Sequence, residues 1–328
     1  MKIAFFFRKR HSGYNSIEEV FNTLIPNIES TYHSSRVTVP FVSSAWGVIF
    51  NWLYASWRKV DLMHITGDIH YLALFRNSPV VITVHDLQSI FRSTGIGMRL
   101  KKWLWVTGPL TRAKRIVAIS ENTRQEISRM LPEVSHKVSV IPNPISPLFK
   151  FSPKKVNSEI PIIFHVGTAA HKNLSKVVRA ISGMEVKLNI LGVLSSEQEK
   201  LLKRRSIRYQ SFSGLPYEEV YQLYLSADIV SFPSDYEGFG MPIIEAQASG
   251  RPVLTSTNPS IRQIAGEGGA LFVDTNEREL KNGFQELLSN SDLRDSLIEA
   301  GQTNVKRYEA GKVAEQYISL YQEVVNKP

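Results

Sequence analysis

The chain has no cysteine among its 328 residues. That excludes disulfide staples, a thiolate nucleophile and any thiolate metal site, and it fits a reducing, cytoplasmic setting. Long apolar runs are missing too: no stretch of eighteen apolar residues occurs, so no segment reads as membrane-spanning. The opening Met1-Lys2-Ile3-Ala4-Phe5-Phe6-Phe7 has the apolarity of a secretory leader, but Arg8, Lys9 and Arg10 interrupt it and no small-residue cleavage site follows. It reads as a first buried strand. Neither half carries Gly-x-Gly-x-x-Gly after its first strand. The openings are Arg8-Lys-Arg-His-Ser-Gly13 and Gly167-Thr-Ala-Ala-His171, which speaks against a dinucleotide oxidoreductase. No Asp-x-Asp pair or acid cluster with metal-ligand spacing stands out, so no metal is expected.

Charge is plentiful but lopsided. Residues 1–150 hold 19 Lys and Arg against 9 Asp and Glu, whereas residues 151–328 hold 20 against 21. A basic first half beside a neutral second half points to an anionic partner for the first half only. Nucleic acid, an anionic membrane surface and a phosphorylated acceptor are candidates; a solvated basic face that only aids solubility is the plain alternative. Two basic-aromatic stretches, Trp46–Lys59 and Met98–Arg115, suit the headgroup boundary of an anionic membrane. The same aromatics could instead pack on a sheet with the cations turned to water. No nucleic-acid module fits these segments, so no nucleic acid is expected as partner.

What the chain has throughout is alternation. Short apolar runs rich in β-branched residues give strand candidates at Ile3–Phe7, Val37–Val39, Leu62–Ile65, Val80–Val84, Ile116–Ile119 and Val138–Ile141. Amphipathic stretches lie between them, at Ile17–Ile28, Trp46–Trp57, Met98–Thr111 and Asn122–Leu131. A proline-rich segment, Ile141–Leu148 and on to Lys155, has no period and reads as a linker. The alternation then resumes with Ile162–Val166, Lys187–Leu191, Ile207–Phe212, Ile229–Phe232, Val253–Thr255 and Ala270–Val273, and the last fifty residues read as helical. Continuous apolar strands separated by helices predict parallel sheets covered on both faces, in two doubly wound halves. Ligands in such sheets bind beyond the strand carboxyl ends, so the site is expected on strand-end loops, in a cleft between the halves.

The most informative segment is Ser231-Phe-Pro-Ser-Asp-Tyr-Glu-Gly-Phe-Gly-Met-Pro-Ile-Ile-Glu-Ala-Gln-Ala-Ser-Gly-Arg-Pro-Val253. A strand ends near Phe232, a loop with Gly238 and Gly240 follows, and a helix starts with Pro242 near its first position and stops at Gly250. Glycines before a helix N-terminus leave backbone N–H groups beside the positive end of the dipole, a place for phosphate oxygens. Glu237 lies in the loop and Glu245 is expected in the first helical turn, tilted back toward the same end. Two carboxylates would repel a bare phosphate, but they suit hydroxyls flanking a diphosphate. A lone glutamate there would more simply be a first-turn acid favoured by the dipole.

These residues resemble a known family. Glu-Gly-Phe-Gly-Met-Pro with glutamates at 237 and 245 is similar to the Glu-x7-Glu motif of retaining GT-B glycosyltransferases, family four especially. Thr83-Val-His-Asp-Leu87, Ile116-Val-Ala-Ile-Ser-Glu121, Val140-Ile-Pro-Asn143, His165-Val-Gly-Thr-Ala-Ala-His-Lys-Asn173 and Phe212-Ser-Gly-Leu-Pro-Tyr-Glu-Glu219 follow the family's order. The resemblance implies an α/β fold of GT-B architecture, with two doubly wound Rossmann-like domains facing across a cleft. It implies an acceptor-side domain over 1–150, a nucleotide-sugar domain over 151–310, and a helix over 311–328 packing back toward the first. It also implies roles: Glu245 holding the ribose hydroxyls, and Glu237 with the backbone of Gly238, Phe239, Gly240 and Met241 holding donor sugar and phosphates. Lys172 would neutralise the diphosphate beside Gly167 and Thr168, Gly214 and Leu215 would lie against the base, and His85 would face the donor sugar. Lys172, with Asn173 as a plausible helix cap behind it, is a natural phosphate ligand on its own reading, although a surface lysine is the bland one. His85 has a buried structural histidine as its alternative, and His64, His70, His136 and His165 read as structural.

The chain departs from the family at two places. Many members carry an arginine directly after the glycine at 167, where this sequence has Thr168. The early paired-glycine loop is reduced to Ser12-Gly13-Tyr14, which puts donor contacts at Gly13 in doubt. The resemblance implies a metal-independent retaining enzyme without cofactor, with a UDP- or GDP-sugar as donor substrate and a glycan or lipid-linked acceptor. It would work in the cytoplasm, with the basic first half offered to the inner face of the membrane. Transfer would be a front-face displacement in which the leaving diphosphate takes the acceptor's proton. A glycoside hydrolase, with two carboxyls about 5 Å apart across a sugar, suits this pattern poorly. A sugar-nucleotide epimerase or phosphorolytic enzyme of the same fold, and an inactive sugar-nucleotide-binding protein, remain open on the sequence.

Overall fold

A computed structural model of the chain describes residues 1–9, 16–74, 78–87, 97–154 and 159–326. The chain forms two compact units. The first runs to Pro144 and takes in the C-terminal segment from Ala310, and the second is Ile145–Glu309.

The first unit is built on a six-stranded sheet of β1 (Lys2–Phe7), β2 (His33–Thr38), β3 (Leu62–Ile65), β4 (Val80–Val84), β5 (Arg115–Ala118) and β6 (Val138–Val140). The strands lie in the order β2-β1-β3-β4-β5-β6, with every neighbouring pair parallel. Side chains alternate across the sheet: Ile3 and Phe5 enter one apolar core, Ala4 and Phe6 the other. Burial on both faces is why β4, Val-Val-Ile-Thr-Val, is buried at all five positions. The helix Ala310–Asn326 packs on the helix Ser16–Glu29 and sends Tyr317 and Tyr321 into the core. Tyr321 Oη lies 2.6 Å from His64 Nδ1, His64 Nε2 lies 2.8 Å from Thr83 Oγ1, and Tyr317 Oη lies 3.3 Å from the same threonine oxygen. Burial drives the His64 pKa down to about 3, so the ring is neutral and this buried polar chain carries no charge at neutral pH.

The second unit carries β7 (Ile162–Val166), β8 (Lys187–Leu191), β9 (Arg208–Phe212), β10 (Ile229–Phe232), β11 (Val253–Ser256) and β12 (Leu271–Val273). Its order is β12-β11-β10-β7-β8-β9, again parallel throughout. The proline-rich segment expected to be a linker is pinned where it enters this unit. Ile145 bridges to Glu309, its N–H bonds the Tyr308 carbonyl at 2.7 Å, and Phe149 is buried against the rings of Tyr217, Tyr221 and Tyr224. Each sheet reverses its strand order once, between β1 and β3 in the first and between β7 and β10 in the second. Doubly wound sheets bind ligands at such reversals.

Candidate active site

At the reversal in the second unit, two loops leave neighbouring strands and are laced together. One follows β7 and runs from Gly167 to Asn173; the other follows β10 and runs from Pro233 to Gly240. Asn173 Nδ2 donates to the Pro233 carbonyl at 2.8 Å, and the Asp235 N–H donates to the His171 carbonyl at 2.9 Å. Asn173 sits at the start of the helix Leu174–Ala180 in a left-handed conformation, but its side chain makes no cap. The capping role expected for it is corrected: the amide ties the loops instead.

Lys172 crosses from the first loop to the second. Its ammonium forms an ion pair with Glu237 Oε1 and stands 4.4 Å from the centroid of the Phe232 ring. Both members of the pair are largely buried. The lysine's stem runs over Gly167, which has φ +98°. Beneath it lies His165, fully buried, with Nδ1 3.2 Å from Ser231 Oγ. Burial, reinforced by the Lys172 charge, lowers its pKa to about 3. Lys172 thus brings a cation to the junction of the two loops, and His165 stays neutral. Thr168, in the place of the family's arginine, turns away: its hydroxyl donates to the Val193 carbonyl at 2.7 Å. What it can offer a ligand is backbone.

The second loop ends at Gly240, whose φ of +108° is a conformation a glycine adopts without strain. The helix Met241–Ala248 starts there, without a side-chain cap and with proline in its first turn. Glu245 is the fifth residue of this helix, so the expectation of a first-turn position is corrected. Its carboxylate is buried, and each oxygen accepts a tyrosine hydroxyl, Tyr217 at 2.7 Å and Tyr224 at 2.6 Å. A carboxylate offers about four lone-pair directions, so two phenols hold it without exhausting it. Phe239 buries its ring edge-on to Tyr308, which leaves its backbone as the part facing the loop.

Gly214 and Leu215 lie just beyond β9. Gly214 has φ +68° with open space where a side chain would be, and Tyr217, two residues past Leu215, carries that segment to Glu245. Gly167, Lys172, Glu237, Gly238, Phe239, Gly240, Met241 and Glu245 therefore belong to one set of laced loops and the helix they enter. The tyrosine pair was not anticipated, although Tyr217 and Tyr224 stand seven apart on one helix, Tyr217–Ser226, and so share a face. His85 is in the first unit, after β4. Its Nε2 donates to the Thr66 carbonyl at 2.9 Å, and burial lowers its pKa to about 4, so at neutral pH Nδ1 is an acceptor. Gly13 lies outside the described residues.

Two parallel doubly wound sheets with such a site after the first and fourth strands of the second define a GT-B fold. Residues 149–304 match the model of glycosyl transferases group 1, and residues 10–147 match that of glycosyltransferase family 4. The chain belongs to this glycosyltransferase family. It is 24% identical over 300 residues to the O-antigen chain mannosyltransferase RfbU of Salmonella typhimurium, covering 87% of this chain and 80% of that one. It is 31% identical over 132 residues to a D-inositol 3-phosphate glycosyltransferase of Corynebacterium urealyticum; that match spans 40% of this chain but only 31% of the relative. The solved structure of Anabaena Alr3699/HepE in complex with UDP-glucose superposes with a TM-score of 0.80 at 15% identity, over 98% of this chain and all of that one.

Proposed function

We propose that the chain is a metal-independent, retaining glycosyltransferase. It moves a hexose-type sugar from a UDP- or GDP-sugar to a hydroxyl of a glycan or lipid-linked acceptor, in surface polysaccharide or glycolipid synthesis. The observation that carries this reading is the Lys172–Glu237 pair beside an uncapped helix start, with Glu245 held by two tyrosines on that helix. Glu245 takes the ribose diol, Glu237 takes donor-sugar hydroxyls, and the base lies along Gly214 and Leu215. Lys172, with the helix N-terminus at Gly240 and Met241, takes the diphosphate. Names among the relatives agree in kind: a mannosyltransferase, an inositol-phosphate glycosyltransferase, and a fold neighbour bound to UDP-glucose.

Glu237 is committed to the Lys172 cation, which supports a reading without a covalent sugar intermediate. The reading is therefore a front-face substitution. The bond from the sugar's anomeric carbon to the diphosphate breaks, the acceptor oxygen bonds on the same face, and its proton passes to the departing phosphate oxygen. Lys172 and the helix end stabilise the charge that develops there. In the first unit, neutral His85 keeps an acceptor nitrogen at the end of β4. The basic first unit is read as docking on the inner, anionic face of a membrane.

A thermal-shift panel of UDP-, GDP-, ADP-, dTDP- and CMP-sugars tests the donor assignment, repeated with Glu245→Gln. One nucleotide class is expected to stabilise the wild type and to lose most of that effect in the variant. No response from any sugar nucleotide would remove the reading's support. Thr168, with its hydroxyl committed to Val193, favours a second reading: a binding protein that holds the donor without transferring it. Stabilisation with no sugar transfer to any acceptor fraction would select it.

A further inference from the structure

The first unit carries a groove that the donor chemistry does not use. It lies between the helix Ala45–Ser56 and the segment Gly97–Thr107, holds about 570 Å³, and is lined by Val48, Ile49, Trp52, Leu74, Leu104 and Trp105. That volume is in the range of small-molecule sites.

Its walls are fixed by polar bonds from behind. The Trp105 indole N–H donates to the Asp68 carbonyl at 2.8 Å, and the Trp105 carbonyl lies 2.9 Å from His70 Nδ1. On the other wall, buried Asn51 donates to Tyr71 Oη at 2.9 Å and exchanges hydrogen bonds with the Phe41 backbone at 2.8 and 3.0 Å. Tyr71 packs edge-on to Trp105, ring centroids 5.1 Å apart. The groove cannot close by sliding one wall without breaking these bonds. Trp103–Thr107 is a turn of π-helix, a geometry that often accompanies functional sites. Asp68 and His70 stand just beyond the carboxyl end of β3, at the strand reversal of the first sheet, so the groove opens from that sheet's ligand side.

The rim has the composition of a membrane interface. Trp46 is 73% exposed, with Phe50 and Trp103 also exposed. Lys101 lines the groove, and Lys102 stands next to it on the same segment. The helix Ala45–Ser56 contains no charged residue at all. A soluble headgroup has no use for an apolar slot with indoles at its lip and cations beside it. A hydrocarbon chain ending in a phosphate has, because the chain buries against the walls while its anion meets the cationic rim.

We propose that this groove binds the hydrocarbon chain of a phosphate-bearing lipid acceptor, with the sugar-accepting end directed to the carboxyl edge of β3 and β4. The proposal rests on the reading of the acceptor as lipid-linked, and it adds the place where the lipid is gripped.

Dodecyl phosphate below its micelle concentration is the probe, followed by calorimetric titration. The wild type is expected to bind about one equivalent, and inorganic phosphate at the same concentration none. Ala45→Trp, at an exposed position on the groove mouth, is expected to weaken binding at least tenfold. Ile49→Glu, which sets a carboxylate at the same mouth, is expected to do the same. Trp57→Ala, at the far end of the helix, is expected to leave binding within twofold. The nucleotide-sugar thermal shift, run on each variant, reports that the fold is intact. Absence of binding in the wild type, or binding unchanged in both mouth variants, overturns the proposal. Binding to phosphatidylglycerol vesicles without binding to dodecyl phosphate also overturns it, since that is surface adsorption. Donor binding is read separately: loss of the nucleotide shift in the wild type would sink the transferase reading while leaving the groove result standing.

Discussion

The stem of Lys172 lies directly over Gly167, so that a Cβ on residue 167 would come 2.9 Å from the lysine's Cγ and 3.2 Å from its Cδ and Cε. The glycine is needed twice, once for its φ of +98° and once for the space the lysine occupies. Gly167→Ala is expected to lower stability by about 1–3 kcal/mol and to displace the ammonium from Glu237. Urea unfolding together with sugar-transfer rate checks it; a variant that transfers normally would show that the stem does not fix the charge.

Lys172→Met keeps an apolar stem over Gly167 and Phe232 but removes the cation. Glu237 then stands without its partner, and under the proposed role of Lys172 the transfer rate is expected to fall by roughly 10²–10³-fold, in the range seen when one charge-stabilising donor is lost. The fold should survive, because the stem's packing is retained. Transfer within a few-fold of wild type would assign the leaving-group charge elsewhere.

Tyr224→Phe removes one of two hydroxyls from a buried carboxylate. It is expected to cost about 1–3 kcal/mol of folding stability, while Tyr217→Phe, at a less buried site, should cost about 0.5–1.5 kcal/mol. Each should also weaken sugar-nucleotide binding, because Glu245 loses the bond that aims it. Denaturant titrations and nucleotide-binding isotherms measure the two effects. Unchanged affinity in the double variant would separate Glu245 orientation from ligand capture.

Acid should destabilise the fold through its buried histidines. His64 and His165 both have pKa values lowered to about 3 by burial, against an ordinary value near 6.5. Their contribution is fully present above about pH 6.5. Below it, the unfolded chain takes up protons that the folded chain refuses. Stability is then expected to fall by about 1.4 kcal/mol per pH unit for each ring as pH drops from 6 toward 4. Unfolding free energies at pH 7, 6 and 5 test this, and His64→Gln should flatten the slope.

The sheets were readable where burial is continuous. β3, β4, β7, β8 and β10 coincide with their apolar runs because both faces of those strands are covered. β2 was not: it starts at His33 rather than Val37, since His-Ser-Ser-Arg occupies an edge strand beside β1 and has no apolar signature. In the site, Glu237 and Gly240 were legible because loop glycines and a proline-started helix punctuate that segment. The position of Glu245 was read one turn too early, since the helix already begins at Met241 and makes the glutamate its fifth residue. The tyrosines on Glu245 come from 28 and 21 residues away, across the sheet's connections, where local pattern carries no information. The same holds for Thr168, whose hydroxyl is spent on Val193, 25 residues on.

The helix Ala310–Asn326 gives the chain an unusual calendar. Residues up to Pro144 are made first, yet His64 and Thr83 wait for Tyr321 and Tyr317, and the helix Ser16–Glu29 waits for the surface that covers it. The second unit, whose described residues lie between Ile145 and Glu309, has all of them before then. The half that emerges first is the half finished last. A chain cut short before Ala310 would hold a complete second unit and an open first one, so damage at the tail is felt at the opposite end of the sequence.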